Sequence, residues 1–126
     1  MMVIRQEKVK EWEKKIFFNS MKTTGKYILD DKGNPVEETD LMKWGEWFET
    51  AGQKRVVIKT KVGGYEVSTV FLGIDYSFEV EPHTPILYET MFFGKGERTE
   101  ETYRYATKEE AIEHHSKLVE ELTKTL

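Results

Sequence analysis

An α+β domain, built on an antiparallel four-stranded sheet of hairpin and meander connections with packed helices that include a C-terminal one, is the fold class the sequence predicts. Three observations carry it. Val56–Val62 and Tyr65–Ile74 are rich in valine, isoleucine, threonine and tyrosine and flank Gly63-Gly64, a two-residue turn that closes a hairpin. Two more β-forming runs follow, Ile86–Phe93 after a Pro82–Pro85 loop and Thr99–Tyr105 after Gly94-Lys95-Gly96, with connections short enough for antiparallel pairing. Finally, Thr107-Lys108-Glu109-Glu110 reads as a capping box that opens a helix with Ala111, Ile112, Leu118, Val119 and Leu122 as apolar positions.

The remaining elements precede these. Met2–Phe18 carries Ile4, Val9, Trp12 and Ile16 at near-helical spacing, which predicts a helix with a thin apolar face. Tyr27–Leu29 is a short strand, and Asp30-Asp31-Lys32-Gly33-Asn34-Pro35 is a turn, because Gly, Asn and Pro each favour turn geometry. A helix follows, capped by Thr39 or Asp40, with Leu41, Trp44, Trp47 and Phe48 on one stripe and Gly52 placed to end it. The predicted order is helix, strand, helix, four strands, helix. No repeat or low-complexity segment interrupts it.

Composition bounds the function. A chain of 126 residues, 38% hydrophobic and 13% aromatic, suits one domain with its own core even though 33% of residues are charged. The absence of cysteine excludes a disulfide framework, a thiol nucleophile and a thiolate zinc site, and a reducing cytoplasm is the expected location. No apolar run is long enough for a signal peptide or a membrane span, so no membrane partner is expected. The net charge of −4 conceals an asymmetry. Residues 1–26 hold seven Lys or Arg against Glu7, Glu11 and Glu13, leaving twelve of the nineteen basic and twenty of the twenty-three acidic side chains to residues 27–126. The expected organisation is therefore a basic helical arm, 1–26, before a single acidic α+β domain, 27–126. Too few arginines cluster for a phosphate track, and no nucleic-acid partner is expected.

Four blocks carry a resemblance. Asp40-Leu41-x-Lys43-Trp44-x-x-Trp47-Phe48-Glu49, Val67-Ser68-Thr69-Val70-Phe71-Leu72-Gly73-x-Asp75, Pro85-Ile86-Leu87-Tyr88-Glu89-Thr90-Met91-x-Phe93-Gly94 and Arg104-Tyr105-x-Thr107-x-Glu109-x-Ala111 together resemble a small uncharacterised protein family of phages and prophages, over residues 27–119. The resemblance implies a phage origin and action in the host cell cytoplasm. It implies no assigned activity. Members of that family begin just before the Tyr27–Asp30 strand, so residues 1–20 depart from its pattern and Met21 is a candidate internal start.

Chemistry-bearing residues are few. Adjacent helical residues point about 100° apart, so His114 and His115 do not suit one metal, and no metal or cofactor is expected. Ser68 and Thr69 lack a nucleophile-elbow context. The candidate ligand-binding set is Trp44, Trp47, Tyr88 and Tyr105 as stacking rings, Arg55, Lys59 and Arg104 as anion-binding cations, and Glu89. Core packing alone also explains the tryptophan stripe. Glu89 in an apolar strand requires a partner such as Arg104 or Arg55, as a structural bridge or as part of a pocket. Alternation also places Arg55, Val57, Lys59 and Lys61 on one side of a strand as a basic stripe, or as gatekeeping charges on a solvated face.

Three functions compete at this level. The leading one is a non-enzymatic phage accessory protein that binds a host defence protein or sequesters a small nucleotide-type signal to counter host defence, commonly as a homo-oligomer. The second is a small hydrolase or nucleotide-modifying enzyme using Glu89, Asp75 and His114. The third is a structural or assembly protein that self-associates through a sheet face or edge.

Overall fold

The computed structural model describes residues 22–77, 84–94 and 97–126, with the side chains of 97–100 left aside. Its architecture is α+β. The predicted helix over Met2–Phe18 and the Pro82–His83 part of the predicted loop lie outside the described residues. Two strands, β1 (Tyr27–Leu29) and β2 (Pro35–Glu37), form a small hairpin; α1 (Leu41–Ala51) and a 3-10 turn (Gly52–Arg55) follow. Then come β3 (Val56–Val62), β4 (Tyr65–Phe71), β5 (Tyr88–Gly94), β6 (Glu97–Tyr105) and α2 (Lys108–Lys124). The large sheet is antiparallel, in the order β3-β4-β5-β6.

Local chemistry places these boundaries. The Asp40 carboxylate accepts the Met42 and Lys43 amides at 3.0 and 3.1 Å, so Asp40 caps α1. Gly52, at φ +47, ends it. Thr107 Oγ1 accepts the Glu110 amide at 3.1 Å and donates to the Glu110 carboxylate at 3.0 Å, which starts α2. Strand β2 is an addition to the predicted order: Pro35–Glu37 pairs with Tyr27–Leu29 through the turn that the sequence marks. Strand β4 ends at Phe71 rather than Ile74, because Gly73 takes φ +77 and leaves the ladder. Residues 22–26, assigned above to the arm, are tied into the domain by bridges between Lys22 and Asp40 and between Lys26 and Ile74.

Register decides the faces. The pairings Thr60–Val67, Thr69–Thr90 and Thr90–Tyr103 put these side chains under α2, while Lys59, Ser68, Met91 and Thr102 point the other way. The core lies at one end of the α2 face. Phe71, Leu87, Tyr88 and Ala111 are buried together, with Tyr27, Leu29, Trp47, Val57 and Tyr105 packed against them.

Gly73 is a junction between the sheet and the layer of α1 and β1. Gly73 accepts at its carbonyl from the Tyr27 amide (2.9 Å) and from Trp44 Nε1 (2.9 Å), and the same indole N–H lies 3.2 Å from the Tyr27 carbonyl. A Cβ at Gly73 would sit 3.3 Å from the Phe48 ring and 3.4 Å from the Tyr27 oxygen. Gly33 has φ +81 but nothing within 4 Å of such a Cβ. Gly33→Ala therefore costs only the left-handed strain of about 1–2 kcal/mol. Gly73→Ala costs that plus the contact, and urea unfolding of both variants is expected to rank Gly73→Ala as the more destabilised.

Candidate functional site

The turn between β1 and β2 is rigid by construction. Asp30 Oδ1 accepts the Lys32 and Asn34 amides, each at 2.9 Å, while the Asp30 amide donates to the Asn34 carbonyl and the Gly33 amide to the Asp30 carbonyl. This turn holds Lys32, Gly33, Asn34 and Pro35 opposite the first turn of α2. Between them lies a depression of about 450 Å³, lined also by Tyr27, Tyr88, Lys108 and Glu109. Gly33 is shared with two neighbouring depressions. One, of about 740 Å³, reaches Asp31, Trp47 and Lys54, and a smaller one of about 130 Å³ joins Lys54 to Tyr88 and Lys108. The three form one groove across the end of the sheet.

The groove has an aromatic floor and a charged rim. Trp47 meets Phe71 edge to face, centroids 5.9 Å apart at 84°, and Phe71 meets Tyr88 at 5.7 Å. Burial first, and then the Glu109 carboxylate, hold the Tyr88 hydroxyl above its usual range, so it stays protonated and available as a donor. On the rim, Lys32, Lys54 and Lys108 supply ammonium groups, and Asp31 and Glu109 supply acceptors. A ligand with an anionic group, a flat ring and N–H or O–H donors is matched at each point.

The sequence-derived candidates divide into separate places. Trp47 and Tyr88 line the groove. Trp44 lies one helical turn away, its indole bonded to Gly73 and stacked at 4.9 Å on Phe48. Arg55 sits in the 3-10 turn, where Nε donates to the Phe71 carbonyl at 3.1 Å and the guanidinium lies 4.1 Å from the Phe48 ring centroid. It does not share a row with Lys59. A register shift between Val56 and Ile58 inserts Val57 as an extra residue, and Val57 packs on the core, so the expected stripe through Arg55, Val57, Lys59 and Lys61 is broken. Lys59 pairs with Glu66 at 3.5 Å.

Glu89, only 4% exposed, finds its partner in Arg104, directly opposite on β6, at 2.9 Å. The Arg104 guanidinium also lies 4.6 Å from the Tyr76 ring centroid. Tyr105 packs on the core from the other face and bonds His114 Nδ1. These residues surround the sheet and do not converge on one pocket. Nor do the three residues of the enzyme reading meet. Asp75 Oδ1 accepts the Ser77 and Ile86 amides, Glu89 bonds Arg104, and His114 lies against Tyr105 under α2.

Two groups of residues escaped the sequence reading. Lys32, Lys54 and Lys108 are separated by 76 positions from first to last, and only the topology collects them. The other group is a polar seam under α2. His115, 1% exposed, bonds Thr60 Oγ1 through Nε2 (2.9 Å) and Thr69 Oγ1 through Nδ1 (2.8 Å), and Thr69 bonds Thr90 at 2.6 Å. A single threonine in each of β3, β4 and β5 is its visible trace in the sequence.

Among the described residues no three His, Asp or Glu side chains gather as metal ligands, and no helix is long and apolar enough to cross a membrane. No family model, curated protein or solved structure matches the chain.

Breaking the Glu89–Arg104 pair from one side strands a buried carboxylate. Arg104→Ala is expected to cost about 1–3 kcal/mol in urea unfolding. Adding Glu89→Gln to it is expected to recover part of that loss, because the neutral amide carries a smaller desolvation penalty. A double variant less stable than Arg104→Ala contradicts this assignment.

Proposed function

We propose that the chain is a non-enzymatic, phage-type accessory protein that sequesters a small nucleotide-type signal of the host cytoplasm in the groove between the β1–β2 turn and α2. The observation that carries this reading is the coincidence of aromatic floor and mixed rim. Trp47, a half-buried ring on which a ligand can stack, and Tyr88, 3% exposed and so lining the groove only at its edge, lie beside Lys32, Lys54 and Lys108. Lysine ammonium groups suit phosphate oxygens, and acidic side chains suit ribose hydroxyls or base N–H donors. The host-defence setting comes from the phage resemblance of the four sequence blocks. Of the two binding partners considered, a concave, partly apolar groove favours a small molecule over a host protein. The separation of Asp75, Glu89 and His114 supports binding without turnover.

Native mass spectrometry of the protein purified from cell extract tests this reading, because one spectrum reports assembly state and retained ligand together. A nucleotide-sized adduct on a discrete oligomer is the expected result. The joint variant Lys32→Ala, Lys54→Ala, Lys108→Ala is expected to lose the adduct. All three side chains are exposed, so its stability is expected to stay within about 0.5 kcal/mol per substitution. A clean apo mass in both proteins overturns the proposal.

A further inference from the structure

Helix α2 touches all four strands of the sheet, yet the middle of its seam is polar. Apolar contacts lie on either side, at the fully buried Ala111 and at Leu118, and between them sits His115 with both ring nitrogens engaged by threonine hydroxyls. The chain of bonds continues. Thr69 joins Thr90, and beside them the Tyr105 hydroxyl on β6 bonds Nδ1 of His114, the neighbour of His115 on α2. Two adjacent sets of hydroxyl and imidazole groups thus lie between α2 and the sheet, His115 with Thr60, Thr69 and Thr90, and His114 with Tyr105, and the first turn of that helix is a wall of the groove.

We infer that protonation of His115 undocks α2 from the sheet and removes the groove wall formed by Thr107, Lys108 and Glu109, so that the groove holds its ligand in neutral solution and releases it in acid. A neutral imidazole has one donor and one acceptor, which two hydroxyls satisfy in either tautomer. An imidazolium in the same place is a buried charge whose neighbours are hydroxyls rather than carboxylates. The groups bonded to it are Thr60 on β3 and Thr69 on β4, with Thr90 on β5 behind Thr69, while Tyr103 and Tyr105 on β6 contact the neighbouring His114 of α2. The carboxylates Glu101 and Glu121 act on Tyr103. Burial alone lowers the affinity of His115 for a proton below that of a free histidine.

The sign follows from linkage. The unfolded or undocked chain takes up the proton near pH 6.5, and the docked one does so only at lower pH. The stabilisation is therefore complete above about pH 6.5 and falls by up to about tenfold per pH unit below it, until the docked form also titrates. By reciprocity, a ligand that needs the docked helix makes His115 harder to protonate. The second half of this inference rests on the groove reading above, and the first half does not.

Hydrogen exchange of the α2 amides, corrected for intrinsic rates and compared between pH 7.5 and 5.5 in the wild type and in His115→Gln, tests the latch. Glutamine keeps an acceptor and a donor near Thr60 and Thr69 and does not titrate in this range. Protection of α2 is expected to drop about tenfold relative to β4 in the wild type and to stay level in the variant. Level protection in the wild type, or the same drop in both, overturns the latch. Should the variant fail to fold, NMR titration of the wild-type ring decides instead: a His115 that titrates at or above pH 6.5 overturns it. The coupling is read with ADP as the probe. Its affinity is expected to fall in acid with α2 protection in the wild type, and to fall less in His115→Gln, which controls for titration of the phosphate. ADP that binds with equal affinity at both pH values overturns the coupling. Failure to bind at neutral pH counts against the groove as a nucleotide site and overturns the coupling with it, while the exchange data still decide the latch.

Discussion

A sheet with a helix on one face must dehydrate that face, and here the centre of the buried face is threonine. Thr69 and Thr90 are fully buried and adjacent on the two inner strands, so their hydroxyls need partners that no neighbouring aliphatic group supplies. His115 meets that need and extends it to Thr60 on the edge strand. This fixes the rotation of α2 about its axis, because only one side of the helix presents the imidazole while Ala111 and Leu118 bury alongside. The rotation in turn sets where the first turn of α2 lies, and hence where Lys108 and Glu109 stand against the β1–β2 turn.

The opposite end of the core is organised by Phe71. Fully buried, it touches Trp47 from the α1 layer and Tyr88 from the next strand, and its carbonyl accepts from Arg55. The groove floor is therefore continuous with the domain core. A side chain that contacts ligand there is already held by packing, which limits the entropy lost on binding. The rim differs, with exposed lysines on a turn, a 3-10 segment and a helix terminus. Packed rings beneath exposed cations suit a ligand that needs its ring oriented and its charge neutralised.

Much of this fold is legible in the sequence. Gly63-Gly64 between two valine-rich runs gives the β3–β4 hairpin, the Trp44, Trp47 and Phe48 stripe gives α1, and Thr107 to Glu110 gives the start of α2, because each signal is local. Glu89 requires a partner for its buried charge, and Arg104 answers from the neighbouring strand. Strand β2 is less legible, since Pro35-Val36-Glu37 is too short to show a period. The bulge at Val57 is hidden because one inserted residue leaves the β-forming composition unchanged while re-aiming Arg55. The candidate site was legible only in part. Trp47 and Tyr88 are visible as aromatics, but Lys32, Lys54 and Lys108 come from a turn, a 3-10 segment and a helix start that only the tertiary fold brings near one another. His115 is indistinguishable from His114 until the helix phase is known.

The groove as a ligand site is tested most directly by mapping amide chemical-shift changes on titration with ADP at neutral pH. A nucleotide seated there shifts the amides of Lys32, Gly33, Tyr88 and Lys108 together, in one saturable transition. Changes confined to Lys59, Glu89 and Arg104, or no saturable change, contradict the assignment of the site.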